Sequence, residues 1–286
     1  MKIIILGHRG MLGQMVKAYF AARHEVVVID DRVDFTAQCP ALASVAKAGP
    51  GLVLNCIGRI KQKTASRQDL HDANALLPLM LAERMAPGQF LVHPSTDCVF
   101  AGDAASPYRW DDPCDATDDY GWSKRLGEVA LLGRANATVF RVSIIGPDHV
   151  ATPPKGLLGW FLSQPEGASL RGYTNHRWNG ITTLEWCRQV ESVIINNPAH
   201  SWAGRVVQIG LAQGVSKYDM LRLFQEAYGT RYMIEPFATP QAVNRCLVPH
   251  IVAPDLQEQL AALRAFELAH PALRGGHGDG QSGGRT

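Results

Sequence analysis

A doubly wound parallel α/β sheet, followed by a smaller C-terminal α+β region, is the fold class that the sequence predicts. Three observations predict it. Short runs rich in Ile, Val and Leu alternate with helical patterns through residues 1–146. A glycine-spaced turn at Gly7, Gly10 and Gly13 directly follows the first apolar run. The pattern then changes at residues 147–154, which carry three prolines and no periodic signal. Apolar runs of this kind read as strands buried on both faces, and strands alternating with helices imply right-handed crossovers.

Taken in order, strands are expected at residues 2–6, 25–29, 52–56, 90–93 and 138–142, with helices beginning near Met11, Pro40, Asp69 and Asp119. These make residues 1–146 a dinucleotide-binding domain of Rossmann type once the glycine turn is included. Residues 147–274 read as a substrate-binding region. Its helices are expected at 156–164, 183–196, 216–228 and 255–268, and its strands at 205–209 and 232–235. One of those strands is free to return to the first sheet. The last twelve residues, 275–286, hold six glycines and read as a mobile tail.

Composition excludes several function classes. The chain has 286 residues, long enough for about two domains and a sizeable core. Lys and Arg number 28 against 26 Asp and Glu, so no charge excess points to nucleic acid or an anionic membrane. No apolar run approaches the roughly 18 residues that span a bilayer, and the N-terminus lacks the features of a signal peptide. The cysteines at 39, 56, 98, 114, 187 and 246 form no C-x-x-C pair, which argues for buried thiols in a reducing compartment, the cytoplasm. His71, His176, His200 and His250 are scattered without metal-ligand spacing, so no metal site is expected.

The glycine turn carries the first piece of chemistry. Gly7 permits a tight turn, Gly10 lets the backbone approach a pyrophosphate, and Gly13 allows close helix–strand packing. Met11 and Leu12 open the helix, whose N-terminus presents free N–H groups to phosphates. Asp30, after the second strand, would bind a ribose 2′-hydroxyl and favour NAD(H). Arg9 and Arg32 would clamp a 2′-phosphate and favour NADP(H). NADP(H) is the expected cofactor, with NAD(H) left open.

Tyr120 and Lys124 form the second piece. Their i, i+4 spacing puts phenol and ammonium on one helix face. A nearby cation favours the phenolate, so Lys124 is expected to lower the Tyr120 pKa and to hold the nicotinamide ribose. Such a tyrosine exchanges a proton with a carbonyl or alcohol oxygen. Ser95 and Thr96 follow the fourth strand, beyond whose carboxyl end ligands sit in open α/β sheets. Either hydroxyl could bond a substrate carbonyl.

Glycine turn, hydroxyl strand end and Tyr-x-x-x-Lys, in this order, resemble the extended short-chain dehydrogenase/reductases. STDCVFAG, Pro107-Tyr108, DYGWSKRLGE and FRVSIIG are similar to the dTDP-4-dehydrorhamnose reductase branch. GHRGMLG is also similar to the loop of GDP-fucose synthases, which use NADPH. The resemblance implies a catalytic hydroxyl on Thr96 with Ser95 adjacent, and a cofactor-lining segment containing Asn55, Cys56 and Gly58. It also implies a structural Asn74 and a homodimer. Asp97 and Val99 are expected to face the substrate. Arg177 and Arg245 are candidates for holding a nucleotide diphosphate. The chain departs from the branch in GRIKQKTASRQD after the third strand and in the segment 173–183. The implied function is reduction of a keto group on a nucleotide-linked deoxysugar. Epimerisation or dehydration with retained cofactor, and a catalytically silent regulatory homologue, stand as alternatives.

Overall fold

Strand β1 (Lys2–Leu6) shows how the sheet is built. Ile3 and Ile5 enter one core cluster while Ile4 and Leu6 enter another, as a period of two requires. All four are essentially fully buried, each worth about 1.5–3 kcal/mol of transfer free energy. The computed structural model describes residues 1–36, 38–61, 66–148, 154–197 and 199–274. Residues 149–153 of the expected linker and the whole expected tail lie outside the described residues.

The chain continues through α1 (Met11–Ala21), β2 (Glu25–Ile29), α2 (Pro40–Lys47), β3 (Gly51–Asn55) and α3 (Arg67–His71). After a π-helical turn at Asp72–Leu76 come α4 (Leu77–Arg84), β4 (Gln89–Ser95), α5 (Asp119–Leu131) and β5 (Ala137–Arg141). The C-terminal half contains β6 (Ile144–Ile145), α6 (Leu157–Leu162), β7 (Ser169–Tyr173), β8 (His176–Trp178), β9 (Ile181–Thr182) and α7 (Thr183–Val190). It ends with β10 (Val206–Leu211), β11 (Val215–Ser216), α8 (Lys217–Tyr228), β12 (Met233–Phe237), β13 (Val243–Asn244), β14 (Ile251–Ala253) and α9 (Leu256–Ala269).

Seven strands form one sheet in the order β14-β10-β5-β4-β3-β1-β2, with every pair parallel. Helices cover both faces: α1, α7 and α9 on one side, α2 and α4 on the other. Two strands from beyond residue 146, β10 and β14, complete the sheet. The strand expected at 205–209 is β10. The strand expected at 232–235 is β12, which pairs with β7 in a separate two-stranded sheet. Two further small sheets, β11-β8-β13 and β6-β9, lie in the C-terminal half.

Candidate active site

Chain order places the fold's crevice. β1 has β3 on one side and β2 on the other, so connections diverge there, and ligands bind outside the carboxyl ends of such strands. A cleft of about 400 Å³ lies at that place. Its walls come from the segments after β1 (Gly10, Met11, Leu12), β3 (Cys56, Gly58, Lys61), β4 (Ser95, Thr96, Asp97, Cys98) and β5 (Ser143, Gly146), with Tyr120, Lys124 and Arg245.

The glycine turn has no room for side chains. Gly7 has a φ of +77°, and a Cβ on Gly13 would stand 2.1 Å from the Gly7 carbonyl oxygen. The Gly10 N–H donates to the Gly7 carbonyl at 3.0 Å, and Gly10 is the residue that enters α1. Helix start and bare backbone thus meet at the cleft, the arrangement that accepts a pyrophosphate. At the outer edge Arg9 Nη2 donates to Asp30 Oδ1 at 2.7 Å, both exposed. The two residues expected to read the ribose are thus paired with each other. Arg32 lies exposed beyond β2.

Helix α5 carries Tyr120 and Lys124 into the cleft. Asp118 caps it, accepting from the Gly121 N–H at 2.9 Å. A Cβ on Gly121 would be 2.1 Å from the Cys98 carbonyl oxygen, so only glycine lets the helix approach the β4 end this closely. Tyr120 and Thr96 line the same cleft. Thr96 Oγ1 donates to Asp97 Oδ1 at 3.1 Å and accepts from the Cys98 N–H at 3.2 Å. Ser95 Oγ is buried, lines the cleft and has no hydrogen-bond partner among the described residues, which leaves it available to a ligand.

Lys124 is buried, and its Nζ donates to the Pro94 carbonyl at 3.0 Å. Burial pulls its pKa down to about 8, partly offset by Glu128. Burial pushes the Tyr120 phenol well above its usual value, the neighbouring Cys98 and Asp97 add to the rise, and Thr96 opposes it. This corrects the expectation of a phenol made acidic by Lys124. The phenol is protonated across neutral pH and stands ready as a donor. The half-buried Cys98 thiol is pushed up to about 12, chiefly by desolvation, and is no thiolate nucleophile.

Asn74 sits on the π-helical turn. Its amide accepts from the Arg59 N–H (3.0 Å) and donates to the Arg59 carbonyl (2.9 Å) and Ser123 Oγ (3.0 Å). It fastens the segment after β3 to α5, the structural part the resemblance implied.

Three further expectations are corrected. Asn55 is fully buried behind the cleft, donating to His93 Nδ1 at 3.1 Å and accepting from the Ile57 N–H, so it shapes the turn without lining the cleft. Val99 is fully buried with Phe100, Tyr108 and Leu247, because the 3₁₀ turn at Asp97–Val99 rotates it inward. Arg177 lies on β8 outside the cleft lining, its guanidinium donating to the Gly214 carbonyl, where it borders a separate depression. Arg245 does line the cleft, with Nε on the Phe100 carbonyl (3.0 Å) and Nη2 on the Ala101 carbonyl (2.8 Å). Sequence reasoning missed Asp148, whose buried carboxylate accepts from the N–H groups of Lys155 and Gly156. It also missed Lys61, paired with Asp118 at 3.0 Å on the rim.

Fold and cleft together define a Rossmann-type protein of the extended short-chain dehydrogenase/reductase kind. The family described as the RmlD substrate binding domain matches residues 1–149, more than half of the chain, and the chain belongs to it. A relative in Streptomyces antibioticus, named as a probable dTDP-4,6-dihydroxy-2-methyloxan-3-one 4-ketoreductase, is 37% identical over 150 residues, covering 50% of this chain and 51% of its own. A dTDP-4-dehydrorhamnose reductase of Mycolicibacterium smegmatis is 32% identical over 163 residues, 53% and 49% of the two chains. The chain thus spans about half the length of the curated relatives it matches. Among solved structures, a dTDP-4-dehydrorhamnose reductase from Clostridium acetobutylicum superposes with a TM-score of 0.75 at 19% identity, covering 94% of this chain and 100% of that one. One from Bacillus anthracis, in complex with NADP, gives 0.73 at 18% identity, covering 92% and 98%. At such identities the structural likeness speaks to the fold alone.

Proposed function

We propose that the protein is an NADP(H)-dependent reductase of a keto group on a nucleotide-linked deoxysugar. One observation carries the reading: a single cleft brings Thr96, Tyr120 and Lys124 up to the bare glycine turn after β1. The names of the relatives support the substrate class, and the NADP complex of a structural neighbour supports the cofactor.

Gly7, Gly10 and Gly13, with the first-turn N–H groups of α1, would hold the pyrophosphate, and Lys124 the nicotinamide ribose. Arg9 would exchange Asp30 for a 2′-phosphate. When bound, NADPH supplies the hydride. Thr96 and the unpartnered Ser95 hydroxyl orient the carbonyl oxygen, stabilising charge as it develops there. Tyr120 donates its phenolic proton to that oxygen. Asp97 and Arg245 face the substrate.

We assign residues 1–146 to dinucleotide binding and 147–274 to the substrate. Among the described residues no helix is long and apolar enough to cross a membrane. The six cysteines are free thiols, which supports a cytoplasmic setting. An exposed stripe of Trp122, Leu126 and Val129 along α5, with Leu132 just past its end, supports a homodimer through that helix.

The test mixes purified protein with NADPH and dTDP-4-keto-6-deoxysugars and follows loss of the reduced-nicotinamide absorbance. Steady oxidation is expected. No oxidation with any 4-keto nucleotide sugar refutes the reading.

A further inference from the structure

The segment after β3, where the chain departs from the branch it resembles, brings two cations to the cleft lining, Arg59 and Lys61. Its path is fixed from end to end. Ile57 lies over the glycine turn, since a Cβ on Gly7 would stand 2.7 Å from Ile57 Cγ1. Gly58 lies against α5, since a Cβ there would stand 3.4 Å from Lys124 Nζ. Lys61 closes the run on Asp118, the cap of α5, at 3.0 Å. Arg59 is therefore rooted between the turn that accepts a pyrophosphate and the lysine assigned to the nicotinamide ribose. From Ile57 to Arg59 is two residues, at most about 7 Å of chain.

The backbone of Arg59 is held and its head is not. The Asn74 amide takes both backbone groups, the N–H at 3.0 Å and the carbonyl at 2.9 Å, and is itself buried and bonded to Ser123 Oγ at 3.0 Å. Asn74 stands on the π-helical turn, a feature that recurs at functional sites. The Arg59 side chain is exposed, lines the cleft and has no partner among the described residues. The other cations of that lining are committed: Lys61 to Asp118, Lys124 to the Pro94 carbonyl, Arg245 to the Phe100 and Ala101 carbonyls. An immobilised root with unspent donors is preorganised for an anion, because the fold has already met part of the ordering cost. A guanidinium fork matches paired phosphate oxygens. The 2′-phosphate is expected beyond β2, on the opposite side of β1 from β3, which leaves the pyrophosphate as the anion beside Arg59.

We propose that Arg59 is a cofactor-binding residue whose guanidinium clamps the dinucleotide pyrophosphate against the glycine turn. This rests on the NADP(H) reading above. Hydrogen bonds to charged groups are strong enough that losing one weakens binding about tenfold or more. Substitution of the side chain leaves both bonds to Asn74 in place, because they go to the backbone.

The test is calorimetric titration of wild type, Arg59→Gln and Arg59→Lys with NADPH, with 2′-phospho-ADP-ribose, which keeps the pyrophosphate and lacks the nicotinamide, and with dTDP. The expected result in Arg59→Gln is a Kd raised about tenfold or more, by a similar factor, for NADPH and 2′-phospho-ADP-ribose. A smaller rise is expected in Arg59→Lys, with dTDP binding unchanged within twofold and a melting temperature close to wild type. A loss confined to NADPH places the guanidinium on the nicotinamide half and overturns the proposal. A loss confined to dTDP places it on the substrate diphosphate and overturns it equally, as does unchanged binding of all three. Failure of the NADP(H) reading has a different signature, a wild-type protein that binds neither NADPH nor 2′-phospho-ADP-ribose, and that result removes this proposal with it.

Discussion

Replacing Lys124 by Met tests whether the site stores a buried charge at the expense of stability. Lys124 is 6% exposed, and burial brings its pKa from 10.5 down to about 8. Below pH 8 the residue is charged in folded and unfolded chain alike, and the folded state carries the full desolvation cost. Between pH 8 and 10.5 the unfolded chain binds the extra proton, so stability rises with pH through that window. At about 1.4 kcal/mol per pH unit, the swing attributable to this one group is about 3 kcal/mol. Lys124→Met removes the cost but leaves the Pro94 carbonyl without its donor, a loss of about 1–3 kcal/mol. At pH 7 the variant is therefore expected to be as stable as wild type or up to about 2 kcal/mol more stable, while losing turnover. Urea unfolding of both proteins from pH 7 to 10.5 is the assay. Other titrating groups cancel in the difference, which should move in favour of wild type by about 3 kcal/mol across the window. Parallel profiles would show that the ammonium is not desolvated as described, and the account of the site's electrostatics would fall with it.

Tyr120→Phe should lower turnover by about 10²–10⁴-fold with cofactor affinity preserved. Because the phenol is pushed upward and Lys124 loses its proton near pH 8, reduction should decline above that pH; a profile still rising at pH 9 contradicts the assignment. Gly121→Ala places a methyl 2.1 Å from the Cys98 carbonyl oxygen and should cost about 1–3 kcal/mol in urea unfolding together with most of the activity. Arg9→Ala should weaken NADPH binding about tenfold by fluorescence titration and spare NADH; equal losses would remove the 2′-phosphate role. Leu126→Glu should convert a dimer to a monomer in sedimentation, and an unchanged mass would exclude α5 as the interface.

What the sequence made legible was whatever rests on local pattern. The run Ile3, Ile4, Ile5 announces a strand buried on both faces, and the glycine turn after it needs no distant partner to be recognised. Tyr120 and Lys124 share a face through helical geometry alone. The remainder depends on contacts remote in sequence. β7 is half exposed, with the burial of a small sheet's edge, and finds its partner β12 more than sixty residues later. Strands of two or three residues, such as β8, β11 and β13, are too short for any period to show. Val99 is expected to face the substrate, but one 3₁₀ turn is enough to send it into the core. The direction of the Tyr120 pKa is not legible in the sequence, because spacing reveals a nearby cation and conceals burial.

One buried polar cluster explains how two dissimilar halves hold a common site. Glu128, one turn beyond Lys124 on α5, receives Arg141 Nε and Nη2 at 2.8 Å each, and both side chains are at most 1% exposed. Arg141 Nη1 also donates to Gln208 Oε1 on β10 at 3.0 Å, and Gln208 Nε2 donates to the carbonyls of Tyr108 (3.0 Å) and Val248 (2.8 Å). Tyr108 and the segment 246–248 are themselves joined by backbone hydrogen bonds. The chain of contacts runs from the helix that carries the phenol and ammonium to the segment that carries Arg245. A buried pair of this kind gives little net stability over an apolar replacement, yet removing one member costs about 3–5 kcal/mol. Its value is geometric: the halves cannot shift against each other without breaking the buried hydrogen bonds of Gln208 to Arg141 and to the Tyr108 carbonyl. Catalysis of the proposed kind needs donor and carbonyl oxygen aligned to within a fraction of an ångström. A greasy core would stabilise both halves equally well, but it would not fix their relative position in this way.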